Sequence, residues 1–475
     1  MEIFTKLLHI LVTTITSIYL TLSPKPEFRE GIVGQPRSFL PNQTITAHDK
    51  TVSKLIYRGL FKYDIFGSLV PDLAESWEIQ EDGLVYQIKI KEGITWSDGT
   101  PITTDDLIYT AFKIPDLQVV ITDKVDSRTI RYTLPNKYSP FLSLLTNPVM
   151  KNNTEENDDP LMPISSGEYK IVNISKDGPI TKSVTLATEK NEQIKKLTFR
   201  YYSNDDELLT GAKLGEIDGF ILNDQIKLQN FELYRFPTQG VYYSLIFNLR
   251  NENVENAEFR KKMQQVLDIE DLIAPYGILA QGPISRNLYT DGAINFNPYD
   301  KDILEDIPIN PVTITVPNIT QHKQLAERIK DAWEDKLGLV VEIQKVDPER
   351  IQDTIIVNRD FEILLYGQET GRDPDRYAYW HSTQKDYPGL NLSGFEQVRA
   401  DRSLEEGRNV IESATRRVHY GEFQNAIMEN TPAIFLYHPY QNYYVTKRIS
   451  GIGDKYTFNL ADRFLDFENW RFLDL

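Results

Sequence analysis

Residues 71–110 read PDLAESWEIQEDGLVYQIKIKEGITWSDGTPITTDDLIYT, and this stretch decides the fold. Tyr86, Ile88 and Ile90 alternate with polar residues, which is the period of two that is typical of a half-buried β-strand. Glycines and a proline then mark turns. Residues 103–106, TTDD, combine a threonine near the cap with acids in the first turn, which indicates the start of a helix. The stretch therefore predicts strand, turn and helix in that order.

Outward from this stretch, apolar patterning predicts further strands and helices. Strands are expected at 128–134, 168–174, 183–187, 195–202, 312–316, 339–343, 361–366 and 433–437. Helices are expected after a cap at Asn256, over 325–337 before Gly338, and over about 411–429. The later strands are continuously apolar and alternate with helices. This pattern predicts an α/β protein with a parallel or mixed sheet that is covered on both faces.

Composition excludes several functions. The chain has 475 residues and a net charge of −17, which argues against nucleic-acid binding. It has no cysteine, so disulfides, thiolate metal sites and cysteine nucleophiles are excluded. The six histidines lack the spacing of a zinc helix, and no phosphate-binding glycine loop is present. We therefore expect no catalytic residue, no metal site and no cofactor.

The N-terminus carries an uncharged run, LLHILVTTITSIYLTL, over residues 7–22 between Lys6 and Lys25. Its length falls just below the roughly 17–25 residues of a membrane-spanning helix. Residues 1–23 are read as a signal peptide or as a short uncleaved anchor, the second being favoured because no small-residue cleavage site is evident. A buried helix is the third reading. We expect membrane contact through residues 3–22 only and an extracytoplasmic location for the rest.

The motifs in 71–110, with Trp77, Asp82-Gly83 and the WSDGTP stretch at 96–101, resemble the signature of the family 5 extracellular solute-binding proteins. These are the peptide-, oligopeptide- and nickel-binding receptors of bacterial ABC importers. Further segments resemble the family in the same order along about residues 30–447. They are LIYRGL at 55–60, GEY at 167–169, LGEID at 214–218, DPD at 373–375, WHS at 380–382 and GLN at 389–391.

The resemblance implies a two-lobed periplasmic-binding-protein-like fold of type II with an additional smaller α+β domain. The first lobe is expected to be discontinuous, the small domain to pack on it, and a hinge to close the lobes over a ligand. The expected limits are 28–60, 164–255 and 447–475 for the first lobe, 61–163 for the small domain and 256–446 for the second lobe. A monomer is the expected state.

Ligand contacts are expected in the second lobe, in the stretch that leads into the DPD motif and near predicted strand ends. They are Tyr366, Gln368, Glu369, Thr370, Arg372, Asp373, Trp380 and Tyr437. The resemblance implies a peptide that pairs like an added strand, with its amine held by an Asp. That position falls on Thr370, so Glu369 is expected to replace the Asp, or the ligand lacks a free amine. Arg372 indicates either an anionic ligand or an ion pair with Glu369 or Asp373. Trp380 and Tyr437 are aromatic candidates for stacking, with a place in the core as the alternative.

The leading functional hypothesis is a receptor that captures peptides and delivers them to ABC permease transmembrane subunits. One alternative is a ligand sensor on the same fold that binds a non-peptide solute. A second is a carboxylate-dependent hydrolase. The nickel or haem variants of the family leave room for a metal chelate as the ligand. The sequence does not select the ligand among these.

Overall fold

The computed structural model describes residues 26–153, 159–285, 297–305 and 311–473. The strands are β1 (Glu27–Val33), β2 (Phe61–Tyr63), β3 (Leu69–Pro71), β4 (Ala74–Gln80), β5 (Val85–Ile90), β6 (Ile121–Lys124), β7 (Thr129–Thr133), β8 (Tyr169–Asp177), β9 (Ile180–Thr188), β10 (Lys196–Tyr202), β11 (Gly219–Ile221), β12 (Phe231–Pro237), β13 (Val241–Phe247), β14 (Gly277–Leu279), β15 (Val312–Pro317), β16 (Val341–Val346), β17 (Ile363–Glu369), β18 (Ala433–Thr446), β19 (Ile449–Ser450) and β20 (Arg471–Phe472). The α-helices are α1 (Ala47–Ile56), α2 (Thr104–Lys113), α3 (Phe141–Leu144), α4 (Asp205–Lys213), α5 (Ala257–Gln265), α6 (Ile269–Ile273), α7 (Thr320–Leu337), α8 (Pro348–Ile351), α9 (Tyr377–Trp380), α10 (Val398–Asn409) and α11 (Ser413–Asn430).

One twelve-stranded sheet runs through both lobes, with ten strands in the order β16-β15-β17-β13-β18-β11-β1-β10-β9-β8 and with β12 and β14 each pairing with β18 beside this path. Strand β18 connects the halves. Its first part pairs with β13 in the second lobe, and its last residues pair with β11 and β12 in the first. The chain also crosses between β12 and β13, where Thr238 and Val241 form a turn. Two crossings of this kind leave the lobes joined by few backbone segments.

The small domain is built around the antiparallel sheet β4-β5-β7-β6, with α2 packed beside it. The strand that the alternation predicts is β5, and its Tyr86, Ile88 and Ile90 are buried as expected. The predicted helix start is also present, since the Asp106 carboxylate accepts the backbone N–H of Thr103 at 2.8 Å. One continuous core joins this domain to the first lobe.

The second lobe contains the predicted β-α-β unit. Strands β15 and β16 are parallel, α7 connects them, and Gly338 ends α7 in the left-handed conformation with φ of 63°. Leu364 and Leu365 of β17 lie in two different cores, one on each face of the sheet. The continuously apolar pattern arises because both faces are covered.

The positions of the crossings bear on the predicted domain limits. Strand β13 lies within the segment 164–255 that is expected in the first lobe, yet it pairs with β17 and its Leu245 and Phe247 belong to a core of the second lobe. Strand β18 begins in the second lobe and ends in the first. The limits at 255 and 446 stay predictions.

Within the described ranges, no helix is long and apolar enough to cross a membrane, and the segment 1–23 lies outside those ranges.

Candidate ligand-binding cleft

A cleft of about 1290 Å³ lies between the second lobe and the joined body of the first lobe and small domain. Aromatic side chains from three stretches of the chain, 57–169, 377–379 and 458–464, line it, and they are Tyr57, Phe61, Tyr63, Tyr138, Tyr169, Tyr377, Tyr379, Phe458 and Phe464. Seven Lys or Arg and eight Asp or Glu residues also line it, so the wall is nearly balanced in charge. The cleft can therefore contact a ligand with aromatic faces, cations and carboxylates.

The second lobe reaches the cleft through the segment that follows β17. Strand β17 is parallel to β15, so the two strands end at the same edge of the sheet. In open α/β sheets ligands bind beyond the carboxyl ends of the strands. Residues Gly371, Arg372, Asp373 and Asp375 leave that edge and line the cleft. On the opposite wall, Lys54 lies in the last turn of α1.

A buried carboxylate joins the two walls. Asp462 accepts hydrogen bonds from Lys54 Nζ at 2.7 Å and from Arg372 Nη2. It also accepts the backbone N–H groups of Phe458 and Asn459, at 2.8 and 3.1 Å. Burial by itself raises the pKa of Asp462, but Lys54 and Arg372 together hold this pKa below its ordinary value. Asp462 is therefore ionised, and Lys54, Arg372 and Asp462, here called the Asp462 cluster, carry a net charge of +1.

Arg372 belongs to the second lobe but packs mainly against the other side of the cleft. Its Cζ lies 4.6 Å from the ring centre of Tyr63 and 4.8 Å from that of Phe458, both in cation–π range. Its side chain is 7% exposed. Within the described residues, Nη1 has no hydrogen-bond partner. The sequence alternative of an ion pair with Glu369 or Asp373 is wrong, because Arg372 pairs with Asp462, 90 positions away in the chain.

A second set of contacts joins the small domain to the second lobe. Ser139 donates its backbone N–H to the carbonyl of Arg408 at 2.7 Å, and its Oγ donates to the carbonyl of Gly407 at 2.9 Å. The Arg408 guanidinium lies 5.1 Å from the ring centre of Tyr138. Its Nε lies 3.0 Å from the carboxylate of Asp375, whose pKa burial nevertheless raises. Within the described residues, contacts across the cleft therefore include both this set and the Asp462 cluster.

Of the eight predicted contact residues, Arg372 and Asp373 line the cleft. The Asp373 carboxylate accepts hydrogen bonds from Arg416 at 2.8 and 3.2 Å, so an arginine of its own lobe already neutralises it. Of these two residues, Arg372 has a donor, Nη1, that makes no hydrogen bond to any acceptor among the described residues and is therefore available to a ligand. The other six predicted residues are not on the cleft wall.

Four of these six lie on β17 or directly after it. Thr370 is buried, and both its N–H and its Oγ1 are directed to the carbonyl of Gly240, at 2.8 and 3.5 Å. Gln368 is buried and accepts the hydroxyl of Tyr242 at 2.9 Å. Tyr366 is half-buried against a core of the second lobe. Glu369 is exposed, and its carbonyl accepts the hydroxyl of Tyr379, which itself lines the cleft.

The two aromatic candidates lie in the core, which was the alternative reading for both. Trp380 is 2% exposed and donates Nε1 to the hydroxyl of Tyr242 at 3.3 Å. Tyr437 is 3% exposed and stacks on Tyr243, with ring centres 4.9 Å apart and planes 11° apart. Because neighbours cover both faces of β18, a strand-end position in the sequence does not place Tyr437 at an open edge.

Several residues of the site were missed by sequence reasoning. Asp462 and Asn459 read as a capping box, and the structure contains that box in the 3₁₀ turn Leu460–Phe464. Lys54 reads as a favourable charge at a helix C-terminus. Tyr63 carries no motif. Only the resemblance of residues 55–60 to a family segment marks the vicinity, so no local signal could have identified these contacts.

The described residues contain no group of three or more His, Asp or Glu that could hold a metal ion.

Comparison with known proteins relates this architecture to binding proteins. The chain is 21% identical to the oligopeptide-binding protein AppA of Bacillus subtilis, over 93% of this chain and 90% of the relative. The structure of the ABC transporter substrate-binding protein CtaP from Listeria monocytogenes superposes with a TM-score of 0.80 at 22% identity, covering 95% of this chain and 100% of that one. AppA from Bacillus subtilis in complex with a nonapeptide gives 0.69 at 18% identity, covering 94% and 100%. These likenesses show the two-lobed fold.

The model of the family described as "Bacterial extracellular solute-binding proteins, family 5 Middle" matches residues 68–389, which is more than half of the chain. The match includes the signature stretch from Pro71 onward, the small domain and most of the second lobe. The resemblance in the sequence is confirmed. The chain belongs to family 5 of the bacterial extracellular solute-binding proteins.

Proposed function

We propose that the protein is an extracytoplasmic receptor that binds peptides in the cleft and delivers them to an ABC permease. The observation that carries the proposal is the cleft itself. Its volume of about 1290 Å³ exceeds the roughly 300–1,000 Å³ that is usual for small-molecule pockets. A ligand with several side chains uses such a space, and aromatic faces accept varied side chains. The relative AppA is named an oligopeptide-binding protein, and its match covers 93% of this chain.

Hinge closure is part of the proposal. A ligand that contacts both walls binds the closed conformation more tightly than the open one and shifts the population toward it. The contacts of Arg372 with Asp462 and of Ser139 with the end of α10 support this, because they join separate parts of the chain across the cleft. The two chain crossings at β12–β13 and β18 supply the places for a hinge. A permease that recognises the closed form then receives only loaded receptor.

A binding role without turnover also belongs to the proposal. The carboxylates at the centre of the site are each engaged by a cation: Asp373 by Arg416, Asp375 by Arg408, and Asp462 by Lys54 and Arg372. Such pairs hold structure and orient ligands. The relatives compared above are named as binding proteins.

Native and denaturing mass spectrometry of the protein, purified without refolding, tests the proposal. A closed cleft retains its ligand during purification, so we expect the native mass to exceed the denatured mass by that of released short peptides. Intact recovery of an added peptide after long incubation separates binding from hydrolysis. One homogeneous non-peptide ligand would contradict the peptide assignment and would favour the sensor alternative. Loss of uptake of the identified peptides after deletion of the permease then tests delivery.

A further inference from the structure

The Asp462 cluster has an uncompensated positive charge on the cleft wall. Asp462 is one carboxylate shared by two cations, Lys54 at 2.7 Å and Arg372. Lys54 is half exposed, and both cations line the cleft. The cluster therefore presents a net charge of +1 to whatever the cleft contains.

Arg372 also has hydrogen-bonding capacity that the described residues do not use. Nη2 donates to Asp462, while Nη1 is buried without a partner. A buried donor without an acceptor is destabilising, and more so when it belongs to a charged group. Guanidinium groups bind carboxylates through paired N–H groups in a fixed geometry. The unused Nη1 is therefore suited to an anionic group of the ligand.

The neighbouring carboxylates do not supply that anion. The Asp373 carboxylate accepts hydrogen bonds from both terminal nitrogens of Arg416, and Asp375 forms an ion pair with Arg408. Glu369 lies outside the cleft wall. On the adjoining wall, Asp72 is likewise shared by two cations, Arg58 at 2.6 Å and Lys62 at 3.9 Å, so it adds no free negative charge. The excess of positive charge is local to the Asp462 cluster, because the whole wall is nearly balanced in charge.

We infer that Arg372 and Lys54 bind a carboxylate of the ligand, so that the protein selects peptides by an anionic group at this place in the cleft. The inference rests on the proposed peptide-binding function. The carboxylate comes either from the peptide C-terminus or from an acidic side chain. Thr370 fits this polarity, since the position at which the resemblance implies an amine-binding Asp carries a buried hydroxyl that is directed to the carbonyl of Gly240.

Paired peptide libraries test the inference on the full chain. One randomised pentapeptide library carries free C-termini and a second carries C-terminal amides, both without acidic side chains. A third, amidated library contains Glu at one position. Retention is read by native mass spectrometry in competition. We expect wild-type protein to prefer the free-acid library or the Glu library over the neutral one by about tenfold or more, as a charge-assisted hydrogen bond gives. A preference for free acid identifies the C-terminus, and a preference for Glu identifies a side chain.

The variants Arg372→Met and Lys54→Met are each expected to reduce that preference, measured as the ratio of acidic to neutral peptides retained. Lys54→Met gives the answer independently if Arg372→Met does not fold. The matched control is Arg399→Met, which removes the same charge from the second lobe at an exposed pair with Glu429. It is expected to keep the preference.

Two results overturn the inference while the proposed function stands. One is equal retention of all three libraries by the wild-type protein. The other is a carboxylate preference that survives both cleft variants, which would place the anion elsewhere. Retention of no library would overturn the proposed function and this inference together.

Discussion

Neutralising Asp462 is expected to destabilise the fold, and the cluster geometry sets the size of the effect. Asp462→Asn keeps the shape of the side chain but leaves Arg372 as a buried cation without its carboxylate. Removing one partner of a buried ion pair costs about 3–5 kcal/mol. Lys54 is 46% exposed and can turn to solvent, whereas Arg372 is 7% exposed and cannot. We therefore expect a loss near the lower end, about 3 kcal/mol in the free energy of unfolding.

Urea denaturation at pH 7 measures this loss, with Asp105→Asn as the matched control. Asp105 forms an exposed ion pair with Lys124 at 2.8 Å, for which about 1 kcal/mol or less is expected. The double variant Asp462→Asn with Arg372→Met is expected to lose less than the sum of the two single losses, because either change removes the same pair. Equal losses for Asp462→Asn and Asp105→Asn would refute the buried-pair reasoning, as would strict additivity in the double variant.

Two further predictions concern protonation and the signature motif. Burial lowers the pKa of His322 to about 4, so the unfolded chain binds a proton below pH 6.5 that the native state excludes. The free energy of unfolding therefore falls as pH falls from 6.5 toward 4. His322→Gln is expected to make the free energy of unfolding differ by about 2 kcal/mol less between pH 7.5 and pH 5, as measured by urea denaturation. An unchanged difference between the two pH values would contradict this. Asp106 accepts the N–H of Thr103 at 2.8 Å and Nε1 of Trp96 at 3.3 Å but does not line the cleft. Asp106→Ala is expected to cost about 2 kcal/mol of stability without changing peptide affinity by calorimetry. Asp105→Ala is expected to cost about 1 kcal/mol or less and to leave the affinity unchanged. A weakened affinity at unchanged stability for Asp106→Ala would assign the motif to the ligand instead.

The sequence by itself determined the local elements and the family. Alternation at Tyr86, Ile88 and Ile90 predicted β5, and Asn256 capped α5 as expected, with its Oδ1 accepting the N–H of Phe259 at 3.1 Å. Gly338 ended α7. These features depend on backbone geometry and on neighbours within one turn or one pleat, so local residue order suffices to predict them. The spaced motifs of residues 71–110 then indicated the fold because they combine several such features.

Tertiary structure alone decided which side chains meet in the cleft. Successive residues of a strand point to opposite faces, and when both faces are apolar the sequence does not distinguish core from cleft. Tyr437 consequently lies in the core, and Thr370 turns toward Gly240. The contact of Arg372 with Asp462 joins positions 90 residues apart. Asp462 becomes the partner of Arg372 only when the second lobe and the C-terminal segment pack together. Burial and charge pairing depend on that packing and not on neighbouring positions in the sequence.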